Sequence, residues 1–453
     1  MHRGVRNTLK RLLLSNCNLI GEPGNGFQIS DLLIEGEFIK YIGKEKQAAD
    51  KYIDCSGCIV IPGMIDPHVH MRDLNQSDKE NWRSGSRAAL KGGITTVLDM
   101  PNTDPATITL ENLKKKLSYA SKSSVNYGFH FGINMENIAD VKEVLESKFS
   151  HYIAGLKVFM GGSTGAAGRT LVTEIADLKK VFEIAKKYLK PVIIHSELQS
   201  ELEFWHKKGL IRKMKNHHLL RHPNCAIMGT DRAVSVALET GAKLYVAHVS
   251  TREELDIIRV GKKEGSIFCE VTPHHLFLNI DSIDLNSNVG KVNPPIREKS
   301  DCDALWEGII DGTIDVIGSD HAPHTEIEKE KMYDQAPSGI SGLDTELPLL
   351  VNELLKKKIP SERFVDLCSS NVARIFKIAL RGQIKPGYFA DLVIIDPSKE
   401  HLISAREFES KAKISPFDNQ KLSGKIVSVI INGEIGYYKD KLYNTKGREI
   451  SYG

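Results

Sequence analysis

The chain has no apolar run near the roughly 20 residues that span a bilayer, and it carries almost no net charge. Its 453 residues include 61 Lys and Arg against 58 Asp and Glu, a formal +3. The first absence predicts no membrane span. The second leaves no basic field for nucleic acid and no acidic tail, so a small-molecule partner is expected. Cysteine is scarce and odd in number, seven scattered residues, which argues against a disulfide framework and suits a reducing compartment. One pair, Cys55 and Cys58, has CxxC spacing. Without a second CxxC or a thioredoxin-like context it reads as two packing thiols around a glycine turn. The N-terminal stretch MHRGVRNTLKRLLLSN has basic residues but an apolar centre of three leucines, too short for a signal peptide. A cytoplasmic protein is expected, with an organellar transit peptide as the alternative left open by a basic, acid-free start.

What is present is a globular composition, 41% hydrophobic and 26% charged, in a chain longer than one core supports. Single cores rarely grow past about 250 to 300 residues, so two domains are expected. Residues 1–61 and 383–453 share one texture: short apolar runs broken by turns such as GEPGNG and Asn432-Gly433. Neither end has strands enough to bury its own face. The economical reading is one composite β-domain, a small sandwich, built from both chain ends.

From 62 to 382 the pattern changes. Eight strand candidates alternate with amphipathic helical segments: GMIDPHVH, ITTVLDMP, VNYGFHFGI, IAGLKVFM, PVIIHSE, KLYVAHVS, SIFCEVTPHH and IDVIGSDHAP. That alternation implies a parallel sheet of the α/β class, and eight units suit a closed (β/α)8 TIM-like barrel better than a doubly wound sheet. An open sheet would not explain why polar residues gather at the C-terminal ends of the strands. Strand one ends in His68 and His70, strand four contains Lys157, strand five ends in His195, strand six in His248 and strand eight in Asp320. In a barrel these ends converge on one face.

His68 and His70 alternate onto the same side of their strand. Alone the pair is weak evidence, because chance supplies roughly 0.6 His-x-His pairs in a chain with this histidine content. Jointly the strand ends offer four His, one Asp and one Lys, more than the four ligands a single zinc favours, which suggests two metals. A bare cation at Lys157 would be costly to bury. It either reaches solvent or a carboxylate, or its neutral amine is carbamylated into a bridging carboxylate.

The segments PGMIDPHVHMR, GGITTVLDMPNTDP, YVAHVST, EVTPHHL, GKVNPPIR, IDVIGSDHAPHT, SGISGLDTELPLL and GYFADLVIIDP carry a resemblance nearly end to end. The chain resembles the class I dihydroorotases of the amidohydrolase superfamily. Arg72, two residues after the second His, and the MPNT segment separate that family from allantoinases and dihydropyrimidinases. The resemblance implies that His68, His70 and Asp320 hold one zinc and His195 and His248 the other, with carbamylated Lys157 and a hydroxide bridging them. Asp320 would carry the catalytic proton. Arg72, Asn102 and His324 would grip the α-carboxylate of a small-molecule substrate, and Asn293 with backbone near Ser338 and Gly339 would hold the ring edges. The activity implied is the reversible cyclisation of N-carbamoyl-L-aspartate to L-dihydroorotate. A homodimer is also implied, and association with aspartate transcarbamoylase is left open.

Rival readings are a related cyclic amidohydrolase acting on hydantoins, dihydropyrimidines or allantoin, and a non-catalytic scaffold. Scaffolds lose metal ligands, and this chain retains all six. One departure is local: Asp73-Leu74-Asn75 follow Arg72 where many members have Glu-Pro-Gly, so the first βα-loop is expected to have its own shape. His274, His275 and His321 are expected in supporting roles. His206, His217, His218 and His222 are expected at the surface, and 325–342 as a solvated loop placed to act as a lid.

Overall fold

In the computed structural model, which describes residues 10–20, 27–163, 170–450 and 452, two sheets share the chain. The smaller unit takes β1 (Arg11–Leu19), β2 (Gln28–Glu35), β3 (Phe38–Gly43), β4 (Lys51–Asp54) and β5 (Ile59–Pro62) from one end. Eight strands of the middle segment make the barrel: β6 (Met64–Val69), β7 (Ile94–Asp99), β8 (Asn126–Gly132), β9 (Ile153–Phe159), β10 (Val192–His195), β11 (Leu244–Val246), β12 (Ile267–Val271) and β13 (Val316–Ile317). The other end returns β14 (Leu392–Leu402), β15 (Lys421–Ile431), β16 (Glu434–Tyr438) and β17 (Lys441–Leu442) to the first sheet. The two ends meet at β5, which runs parallel to β1 and antiparallel to β14, with Leu392 opposite Pro62 and Ile395 opposite Ile59. The expected composite sheet is therefore present.

Adjacent barrel strands are parallel and follow sequence order from β6 to β13. His70 N–H donates to His321 O at 2.8 Å, and a parallel bridge joins Val69 to His321, which brings strand eight back to strand one. Every residue of β6 to β9 is buried, as a sheet covered on both faces requires. The covering helices show why their sequences were legible. Ile175–Lys187 buries Leu178, Val181, Phe182 and Ala185, one stripe at helical spacing, and turns its lysines outward. Arg252–Glu264 starts at a capping box between Thr251 and Glu254. Gly229 lets the helix Pro223–Thr240 press against the end of β10; a Cβ there would lie 1.3 Å from Ser196 O.

Residues 447–450 leave the small sheet and run along the barrel, where Tyr127 N–H donates to Arg448 O at 2.9 Å and Ile450 N–H to Tyr127 O at 2.9 Å. The loop after Arg72 has a distinctive form. Arg72, Asp73 and Leu74 all have left-handed φ, 53°, 52° and 53°, a conformation uncommon outside glycine. Asp73 stabilises it by accepting from Trp82 N–H at 3.1 Å, which ties the loop to the start of the next helix.

Candidate active site

At the C-terminal mouth of the barrel a pocket of about 400 Å³ is lined by His68, His70, Lys157, His195, His248 and Asp320, together with Arg72, Asn102, Asn293, Ser338 and Gly339. All the site residues expected from the sequence line it except His324, which accepts from Arg72 at the pocket's edge through Nε2. Strand alternation turns His68 and His70 inward. Barrel closure then brings Asp320 to them from the end of the eighth barrel strand, with Asp320 Oδ1 at 3.3 Å from His68 Nε2 and 3.0 Å from His70 Nε2. His248 and Asp320 reach their places through left-handed backbone, φ 40° and 43°. Such strain in non-glycine residues persists where the surroundings over-determine it.

The outer nitrogens of three imidazoles are anchored. His68 Nδ1–H donates to Glu270 Oε1 at 2.8 Å, His70 Nδ1–H to Asn102 Oδ1 at 2.5 Å, and His195 Nε2–H to Glu197 Oε2 at 2.9 Å. Each bond selects the tautomer whose other nitrogen faces the pocket. Because His195 has spent its proton on Glu197, it accepts at Nδ1 from His248 Nε2, 3.0 Å away. Lys157 Nζ, which is buried, and His248 Nδ1 have no hydrogen-bond partner among the described residues.

Electrostatics follow from this packing. Burial pushes Lys157 down to about 8, against the pull of Glu270 and Asp320. Burial also lowers His70, to about 4, and lowers His195 and His248. For His68 burial works the same way, but Glu270 and Asp320 outweigh it and raise the imidazole. Asp320 resists the upward push of burial, and His68, His70 and His248 hold it well below the usual carboxylate range. An orphaned amine, facing imidazole nitrogens and one carboxylate form a donor set that fits divalent metal, since a cation can replace the protons now shared between them. His68, His70 and Asp320 meet closely enough to bind one ion, their ligand atoms lying within 4.8 Å of one another.

The residues expected to meet a substrate are also gathered. Ser338 Oγ donates to Asn293 Oδ1 at 3.1 Å, and Gly339 has φ 144°, where a Cβ would strike Ala322 O at 2.3 Å. Arg72 Nη2 donates to His324 Nε2 at 3.2 Å while its Nε is unpartnered among the described residues. Three anchoring residues were missed by sequence reasoning: Glu270, Glu197 and Arg221, whose guanidinium grips Glu197 from Nε at 3.0 Å. The signal for Glu197 was its place two residues after His195. Nothing local marked Glu270 or Arg221.

Two expectations need correction. His217 is not at the surface: it is buried, bonded to Tyr333 Oη and Val292 O, both at 2.7 Å. The stretch after strand eight is not simply solvated, because buried Lys329 donates from Nζ to Lys291 O and Pro337 O at 3.1 Å and pins it to the barrel. His275 has the expected supporting role, bonded to Thr272 Oγ1 at 2.7 Å and Pro294 O at 3.0 Å.

The Amidohydrolase family profile matches residues 59–436. The chain belongs to that family. Among its amidohydrolase relatives, a protein named dihydroorotase from Methanosphaera stadtmanae is 34% identical over 98% of this chain and 100% of its own length. Another of that name from Fusobacterium nucleatum is 34% identical over 94% of this chain and 98% of its own. Among solved structures, an L-hydantoinase (dihydropyrimidinase) from Arthrobacter aurescens superposes with TM-score 0.92 at 26% identity, over 98% of this chain and 100% of that one. A dihydropyrimidinase from Brevibacillus agri gives TM-score 0.88 at 26% identity over 98% and 99%. This amidohydrolase thus shares its fold with proteins named hydantoinase and dihydropyrimidinase and its sequence with proteins named dihydroorotase.

Proposed function

We propose that the protein is a metal-dependent dihydroorotase that interconverts L-dihydroorotate and N-carbamoyl-L-aspartate. The observation that carries the reading is Arg72: a buried guanidinium at the rim of a metal-type cluster, with a free Nε, suited to a carboxylated ring. His68, His70 and Asp320 would hold one zinc, His195 and His248 the second, and a carbamate on Lys157 would join them. Ions so held supply an activated water at neutral pH and polarise the ring amide carbonyl.

The chain's own groups do the rest. Arg72, with Asn102 and His324, orients the substrate by its carboxylate. Asn102 can serve twice, since Oδ1 accepts from His70 and its NH₂ remains for the substrate. Asn293, Ser338 and Gly339 present polar groups to the ring edges. Asp320 takes a proton during ring opening and delivers it to the departing ring nitrogen; in ring closure it begins protonated. Closure is therefore favoured at lower pH and opening at higher pH, and pH–rate profiles of the same sense in both directions would refute the shared role.

Hydantoinase or dihydropyrimidinase activity is the second reading, favoured by the fold likeness. Substrates without a carboxylate leave Arg72 without a task. Turnover of dihydroorotate beside dihydrouracil and allantoin separates the readings. An Arg72→Met variant should keep its metals and lose dihydroorotate turnover; undiminished turnover would sink the assignment. A cytoplasmic homodimer that associates with aspartate transcarbamoylase completes the proposal, and its mass in solution, alone and mixed with that enzyme, is the check.

A further inference from the structure

His324 is buried between two charged partners. On one side Arg72 Nη2 lies 3.2 Å from its Nε2; on the other Glu328 Oε2 lies 3.5 Å from its Nδ1. A guanidinium has only donors, so Nε2 must accept, and the ring is neutral with its single proton on Nδ1, toward Glu328. In that state His324 presents a lone pair on the side where the substrate carboxylate is expected. It can hold Arg72, but it repels an arriving anion. The ring becomes a donor to the substrate only by gaining a proton at Nε2.

Glu328 is built to receive the imidazolium that results. Its Oε2 accepts from Thr325 N–H at 3.1 Å and Thr325 Oγ1 at 3.3 Å, and its Oε1 pairs with Lys79 at 2.7 Å. It therefore stands fixed 3.5 Å from His324 Nδ1, which has no hydrogen-bond partner among the described residues. The charged groups that face the ring are Arg72, Lys79, Lys329 and Glu328 itself. Burial, against the pull of Glu328 and helped by the three cations, holds His324 at about 3 in the free protein. A substrate carboxylate that engages Arg72 cancels one of those cations and adds a negative charge of its own.

We infer that Glu328 is a positioning residue that lets His324 take a proton from solvent as the substrate carboxylate binds, so that the imidazolium donates Nε2–H to the substrate and Nδ1–H to Glu328. The inference rests on reading Arg72 as the carboxylate clamp. It gives the eighth βα-loop a part in substrate selection, because a ring without a carboxylate brings no charge to drive the protonation.

Calorimetry on the metal-loaded protein near neutral pH tests this, with orotate as the probe because its conjugated ring resists opening. Titrations in buffers of different ionisation enthalpy should show uptake of about one proton per site. Glu328→Gln should abolish most of that uptake and raise KM for dihydroorotate about ten-fold, the size expected for losing a hydrogen bond to a charged group, while kcat changes little. Glu328→Asp, which keeps the charge, should restore part of the uptake. Lys79→Met, which removes only the partly exposed ion pair, should leave uptake at about one proton. Orotate binding without proton uptake in the unaltered protein overturns the inference alone. Failure both to bind orotate and to turn over dihydroorotate overturns it together with the dihydroorotase reading.

Discussion

The two halves of the site differ in how their charge is arranged. Around His68 and His70 a carboxylate is already in place, Asp320 reaching both Nε2 atoms. Around His195 and His248 none is among the described residues: the two rings face each other at 3.0 Å, and the nearby Lys157 amine has no hydrogen-bond partner among them. Among the described residues the acid bonded to that half, Glu197, is turned to the outer nitrogen of His195. The first half meets a divalent ion with one negative charge of its own, that of Asp320. On the proposed reading the second half takes its negative charge from a carbamate on Lys157.

Asp320→Asn strikes both the first half and the proposed proton carrier, so it should have the largest effect. Turnover should fall by about four orders of magnitude or more, the joint loss of metal activation and proton transfer, and elemental analysis should show depleted metal. Lys157→Ala should cost less metal, emptying the second half while the first retains its ion. If metal-free protein reloads fully without bicarbonate and mass spectrometry finds Lys157 unmodified, the difference between the halves has another origin.

Glu197→Gln weakens the anchor of His195 and leaves Arg221 with half its partner. Metal affinity of the second half should drop about 10- to 100-fold, as is usual for residues that orient a ligand, and competition with a chelator measures it. Equal loss from both halves would break the comparison. The smallest effect lies away from both. Lys329 is depressed by burial from 10.5 to about 7. Between those values the unfolded chain binds more protons, so stability should rise with pH from about 7 toward 10.5 and be flat below. Lys329→Met should remove that slope from the melting temperature.

Much of the site was legible because each inward residue ends a run with a strong period. His68 and His70 alternate on one strand, and Lys157, His195 and His248 each interrupt an apolar segment. The anchors were not legible for the opposite reason. Glu270 lies on β12, 202 residues from His68, and meets it only because strands one and seven face the same interior. His217 misled for a related cause: a polar neighbourhood reads as surface, yet Tyr333 and Val292 arrive from distant loops to bury it.

By itself the sequence determined the two-period alternation, and so the barrel, the composite sheet and the list of inward-facing ligands, because strand and helix geometry repeat at fixed intervals along the chain. Tertiary structure decided which nitrogen each histidine turns to the pocket, which half lacks an acid and how His324 stands between Arg72 and Glu328. Those are matters of pairing across the barrel, and contact between residues far apart in sequence leaves no periodic trace in it.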